Sequence, residues 1–272
     1  MSNLGDRMKS YEERFRDTVF PDLPFAVRVD GRNFSGWTDK LDSPYDQNLM
    51  DTMNVVAKMM LENTQGSVVA YTQSDEISLV FYQPSYQSEP PFAGRTQKLA
   101  SVYASMATSI FNAEWFAHEP ARHAEDRGST VPVYQFDGRV FGLPDLTEAY
   151  NYLLWRERDA TRNSIRLVGQ EYFSHNELFK KSNDQVQEML WQEHDINWND
   201  YPARFKRGGY FRQKTVSKPF SESERKDLPP QHDARQNPDM EIERTVTQRL
   251  DIPPISQLES PGETLFDQPI DL

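Results

Sequence analysis

The sequence contains no cysteine. That excludes disulfides, thiolate nucleophiles and cysteine-ligated zinc or iron–sulfur centres. Histidine is scarce: His118, His123, His175, His194 and His232 form neither HxH nor HExxH spacing, which argues against a zinc hydrolase. No run approaches the roughly 18–20 apolar residues of a membrane helix, so no membrane partner is expected. The opening stretch, MSNLGDRMKSYEERFR, is charged and lacks the apolar region of a secretory signal, and a cytoplasmic protein is expected. Cations are the minority charge, with 30 Lys and Arg against 42 Asp and Glu and a formal net charge of −12. This argues against loose, non-specific binding to nucleic acid, but a local basic face remains compatible with it.

The 272 residues, 37% of them hydrophobic, suffice for one real core and one or two domains. Composition changes near residue 217. From Ser217 to Leu272 there are 12 acidic and 6 basic residues, together with 8 of the 18 prolines. With little apolar periodicity to offset its ordering entropy, this stretch is expected to be a largely extended or disordered acidic tail. The body is expected to divide into a unit over 1–140 and a helical, basic region over 141–216 packed on it. No repeat of fixed period is present.

Phe25–Asp30 (FAVRVD) reads as a short strand and Asp30–Phe34 as a turn. Asp46 is placed to cap a helix running to about Asn63, with Leu49, Met50, Met53, Val56 and Met60 as its apolar stripe. Ser67–Thr72 and Ile77–Tyr82 are strand-like, and Gln73-Ser74-Asp75-Glu76 between them suggests a hairpin. A long helix is predicted from Arg95 to about Phe116, and a strand over Val131–Phe136 ending at Asp137-Gly138-Arg139. The order βαββαβ is the split βαβ, ferredoxin-like pattern: an α+β fold with an antiparallel sheet and helices on one face. Helices over Leu146–Tyr172 and Ser182–His194 follow, the latter with a possible Ser182–Gln185 capping box.

This topology makes the first strand and the central hairpin neighbours. Asp30 then meets Asp75 at one edge of the sheet, where two like charges are tolerable only with a cation between them. Oxygen donors without Cys or His select Mg²⁺-type ions. Two such ions roughly 3.5–4 Å apart suit nucleotidyl transfer. Adjacent strand residues point to opposite faces, so Asp75 is assigned to the metal and Glu76 is left as a ligand or as a supporting acid.

Four motifs carry a resemblance: RVDGRNF (Arg28–Phe34), YTQSDEISLVF (Tyr71–Phe81), FDGRV (Phe136–Val140) and FKRGGY (Phe205–Tyr210). Together they resemble the tRNA-histidine guanylyltransferase family and its guanylyltransferase-like members, over about residues 10–214. The resemblance implies a polymerase-palm domain that adds nucleotides in the 3′-to-5′ direction. A tRNA 5′ end is activated with ATP or GTP, and the 3′-hydroxyl of an incoming nucleoside triphosphate then attacks it. It implies two Mg²⁺ ions held by Asp30, the Gly31 carbonyl and Asp75, with Glu76 as an essential third acid. It also implies a triphosphate cradled by Gly31, Arg32, Asn33, Phe34 and Ser74 and met by Arg95 and Lys98. A homotetramer is expected by resemblance alone.

The charge distribution fits an RNA partner. Arg204–Lys214 carries five basic residues and no acidic one; with Arg156–Arg166 it is expected to line an RNA-facing groove, RNA contacts being assigned to Arg156, Arg162, Asn163, Arg204, Lys206 and Arg207. Members dedicated to tRNA-His carry a HINN stretch after a Trp-Arg pair. Here Trp155-Arg156 is followed by Ala160-Thr161-Arg162-Asn163-Ser164, in which only Asn163 matches. That departure favours template-dependent 5′-end repair over obligate addition of G₋₁ to tRNA-His. Two other readings remain: a nucleotide cyclase or signalling-nucleotide synthetase acting on triphosphates alone, and a non-catalytic RNA-binding module.

Overall fold

The computed structural model describes residues 3–82, 89–118 and 133–272. Strands β1 (Phe25–Gly31), β2 (Ser67–Gln73), β3 (Glu76–Phe81), β4 (Phe136–Gly142), β5 (Gly209–Pro219) and β6 (Glu241–Leu250) form one antiparallel sheet ordered β4-β1-β3-β2-β5-β6. The longer helices are α1 (Leu4–Glu13), α2 (Gln47–Glu62), α3 (Thr96–His118), α4 (Leu146–Tyr172) and α5 (Asn183–His194). Helix α2 begins where the sequence places it, because Asp46 Oδ1 accepts the Leu49 N–H at 2.9 Å and so satisfies an orphan donor of the first turn. Ser182 and Gln185 cap α5 reciprocally.

Strand alternation divides the core in two. Val27, Val29, Ile77 and Leu79 face α2 and α3, meeting Met53, Val56, Leu99 and Phe111. Ala26, Val69, Tyr71 and Val80 face the other way, against Ala149, Tyr150 and Leu153 of α4. Helices therefore cover both faces, which corrects the expectation of one. The physical sign is that β3 is buried at every position, as strands covered on both sides are. Helix α3 lies directly on β4: a Cβ on Gly138 would sit 2.5 Å from the Ala100 carbonyl oxygen, so only glycine fits there.

Two further expectations are corrected. The fourth strand starts at Phe136, so Asp137-Gly138-Arg139 opens it rather than ending it; residues 131 and 132 lie outside the described ones. Side chains of α3 hold the preceding backbone, with Asn112 bonding both the N–H and the carbonyl of Tyr134 and Thr108 accepting the Phe136 N–H. The acidic, proline-rich stretch is not an extended or disordered tail. Residues 241–250 pair with β5 from Tyr210 to Pro219, and Ile255, Leu265 and Phe266 are buried in the α4-side core. Backbone pairing in an exposed ribbon needs no apolar periodicity, so the composition concealed it.

Helix α1 has no buried residue. Leu4, Met8 and Tyr11, with Phe15 just beyond, present apolar surface to solvent.

Candidate active site

Three loops meet at one tip of the sheet. Asp30 is the next-to-last residue of β1, and its neighbours in register are Glu76 on β3 and Asp137 on β4. Ser74 and Asp75 make the two-residue turn between β2 and β3, and the Gly31 N–H donates to the Asp75 carbonyl at 3.1 Å, tying loop to turn. Asn33 and Ser74 both occupy the left-handed region, at φ 56° and 48°. That conformation is costly for residues with a Cβ, and such strain concentrates at functional sites.

The electrostatics follow from this crowding. Burial, and then the charge of Asp30, push the Asp75 carboxyl from 3.8 up to about 6, partly offset by hydrogen bonds from its own backbone and Ser74. Burial and then Asp137 raise Asp30 as well, against Arg28, Arg139 and Arg156. The charge of Asp30 thus reaches Asp75, and a cation between the two carboxylates would relieve that repulsion. Among the described residues no three His, Asp or Glu side chains close on one point. An ion here would rest on the two carboxylates, with backbone and substrate oxygens completing its shell.

Glu76 belongs to a different arrangement. It is 5% exposed, and both its oxygens are taken by Arg156, from Nε and Nη2 at 2.7 Å each, with Arg28 Nε at 3.8 Å. This bidentate fork is the strongest geometry for a carboxylate pair. It corrects the assignment of Arg156 to RNA: the residue is 7% exposed and holds the acid opposite Asp30. The face of α4 that carries it packs on the sheet, which composition alone does not reveal.

The nucleotide-cradle residues divide. The Arg32 N–H donates to the Gln135 carbonyl at 2.8 Å and its guanidinium to Gln135 Oε1 at 3.0 Å. Phe34 is buried among Trp37, Phe111 and Phe136 and anchors the loop through its ring. That ring fills the space a Cβ on Gly31 would need, 2.4 Å away. Among the described residues, no hydrogen bond or ion pair ties Arg95 or Lys98 to the acids of the sheet tip. Both cations line a concavity of about 700 Å³ with Lys9, Glu13 and Arg16 of the N-terminal segment, and none of the tip acids lines it.

The predicted RNA residues also separate. Arg158, Arg162, Lys206 and Arg207 line one open groove of about 720 Å³ with Thr161 and Trp198. Arg204 instead pairs with Asp51 on α2, and Arg166 donates to the carbonyls of Leu178 and Lys181. Asn163 is exposed and outside the groove lining. The sequence reading missed Trp198 and the C-terminal residues Pro254, Ser256 and Gln257, which also line it. No local signal marks those three, because only the chain's return past α4 brings them there.

A half-buried pair of carboxylates at the tip of an antiparallel sheet, next to a strained loop, offers hard oxygen donors of the kind that suit divalent-ion nucleotidyl transfer. The comparisons give the family. The family described as tRNAHis guanylyltransferase matches residues 5–144, and the chain belongs to it. A probable tRNA(His) guanylyltransferase of Drosophila melanogaster is 28% identical over 240 residues, covering 83% of this chain and 78% of the relative. The Saccharomyces cerevisiae tRNA(His) guanylyltransferase is 29% identical over 213 residues, covering 73% and 86%. Among solved structures, a bacterial tRNA(His) guanylyltransferase-like protein in complex with ATP superposes with TM-score 0.77 at 32% identity, covering 97% of this chain and 99% of that one. One in complex with GTP gives 0.69 at 30% identity, covering 94% and 95%.

Proposed function

We propose that the protein is a Mg²⁺-dependent nucleotidyltransferase that adds nucleotides, GTP favoured, to the 5′ end of tRNA in the 3′-to-5′ direction. The observation that carries this reading is the placement of Asp30 beside the Ser74-Asp75 turn, in register with Glu76 and next to Gly31, which bonds the Asp75 carbonyl, on a family-matched sheet tip. The strand order β4-β1-β3-β2 around that tip supports a ferredoxin-like palm, and ATP and GTP in the related bacterial structures support both nucleotides as substrates.

The donor set fits Mg²⁺, being hard oxygen ligands whose mutual repulsion a divalent ion relieves. Asp30 and Asp75, with the Gly31 carbonyl, would hold it. When bound, it neutralises triphosphate charge and activates the attacking oxygen. The chain's own residues orient the substrate. The Gly31 and Arg32 amides are already engaged within the protein, so the phosphate cradle falls to the amides of Asn33 and Phe34 and to Ser74. Arg95 and Lys98 would serve a second phosphate group in their own concavity, and Glu76, fixed by Arg156, keeps a negative charge beside Asp30.

Thr161 and Arg162 stand where dedicated tRNA-His enzymes carry the start of the HINN stretch, and both line the basic groove. This supports template-dependent repair of truncated 5′ ends over obligate G₋₁ addition. The apolar surface of α1 supports a homo-oligomer. The testing experiment incubates the protein with Mg²⁺, GTP and a panel of full-length and 5′-truncated tRNAs. Extension of truncated ends opposite a templating base is expected. Product formed from triphosphate without RNA would instead favour a cyclase-like activity.

The acid pair has a pH signature. With its carboxyl raised in the folded state, Asp75 contributes stability that is fully present below its unfolded value near 3.8 and is lost as pH rises through about 6. Mg²⁺ is therefore expected to raise the melting temperature clearly at pH 7 and little at pH 5. Equal shifts at both pH values would count against ion binding at this pair.

A further inference from the structure

The basic groove has two walls of different origin. Arg158 and Arg162 come from α4, Lys206 and Arg207 from the short helix Ala203–Arg207 before β5, and Pro254, Ser256 and Gln257 from the C-terminal segment. That segment is fixed from both sides at Ile255. Glu157, buried on α4, accepts the Ile255 N–H on Oε1 at 3.0 Å and the Tyr210 hydroxyl on Oε2 at 3.1 Å. The Tyr150 hydroxyl donates to the Ile255 carbonyl at 3.3 Å. Further along, Arg212 Nη1 donates to the carbonyls of Glu263 and Thr264 at 2.7 and 2.8 Å. A stretch held by so many backbone contacts is a built wall, although its acidic composition suggests a loose tail.

The side chains this wall shows to the groove are neutral hydrogen-bonding groups, with Ser256 and Gln257 both exposed. None of the acids of the stretch is among the residues lining the groove; Asp267 pairs with Arg212. Four cations share the lining. Lys206 Nζ lies 5.2 Å from the Trp198 ring centroid, covering that aromatic face. A groove lined by four cations and neutral hydrogen-bonding groups, with its lining carboxylate Glu157 already engaged by Ile255 and Tyr210 and its aromatic face covered, suits a sugar-phosphate backbone better than an unstacked base.

We infer that residues 254–257 form the outer wall of the RNA-phosphate groove and that buried Glu157 is the positioning residue that latches them there. This rests on the reading of the groove as an RNA site. The occupant is the sugar-phosphate backbone of the tRNA substrate, and the C-terminal segment contributes to its affinity without touching the acid edge.

The test measures equilibrium binding of a fluorescent tRNA transcript lacking its first nucleotide, with GTP binding as control. Gln257→Glu places a like charge beside the phosphates and is expected to raise the RNA Kd on the order of fivefold, the size of one hydrated charge contact. Gln257→Lys lowers the Kd and steepens the log Kd against log salt slope by about one. GTP affinity stays unchanged in both. Glu157→Ala weakens RNA binding and speeds hydrogen exchange at the Ile255 amide. Glu157→Gln, which keeps an acceptor for that amide, restores both. If both Gln257 variants bind RNA as the parent does while Arg162→Ala and Lys206→Ala weaken it, the groove stands and the wall is refuted. If those two alanine variants also bind normally, the groove reading itself fails.

Discussion

Replacing Asp30 or Asp75 by alanine removes guanylate addition to truncated tRNA while leaving the fold intact. The expected loss is a thousandfold or more, roughly the rate equivalent of the several kcal/mol of charge stabilisation a bound divalent ion supplies. Stability responds in the opposite sense. Both carboxyls are raised by burial, and Asp75 also by the charge of Asp30, so at pH 7 without Mg²⁺ each ionised group opposes folding. Either alanine variant should therefore melt no lower than the parent in metal-free buffer, and should lose the parent's Mg²⁺-dependent rise. The two readouts separate a catalytic role from a structural one. Extension that survives either substitution would show that the sheet tip is not the reaction centre.

Arg156→Ala is expected to be among the most destabilising single changes in the chain. Glu76 and Arg156 have side chains 6% and 8% exposed and meet through two 2.7 Å hydrogen bonds. Removing the guanidinium leaves a buried carboxylate whose remaining ion pair among the described residues is Arg28 Nε, 3.8 Å away. Breaking one side of such a pair costs roughly 3–5 kcal/mol. Urea denaturation should show the full loss for Arg156→Ala and a smaller one for Arg156→Lys, which restores the charge but not the fork. The double variant Glu76→Gln, Arg156→Met should recover much of the stability, because it no longer buries an unpaired charge. An Arg156→Ala variant as stable as the parent would mean that Glu76 is solvated in solution and that the fork is absent.

The local elements were readable because local rules set them. Asp46 and the stripe behind it placed α2, Ser182 and Gln185 placed α5, and the Ser74-Asp75 turn between two apolar runs placed the central hairpin. The acids at the tip followed from that hairpin and the strand order, since antiparallel neighbours must bring β1's end beside the β2–β3 turn. Failures arose wherever a residue's role depended on what packs over it. Arg156 reads like Arg162 in a list of surface cations. One is buried on Glu76, and the other is 61% exposed on its side chain and pairs with Asp159 at the groove rim.

The chain's amino acids alone determined the helices, the hairpin and the pair of carboxylates at its tip, because periodicity, caps and turn chemistry act over a few residues. Which cations face solvent, and that the acidic last fifty-odd residues complete the sheet and wall a groove, was decided only by three-dimensional packing. Hydrogen bonds such as Glu157 to Ile255, 98 positions apart, leave no local trace in composition, since the backbone N–H they satisfy is carried by every residue except proline.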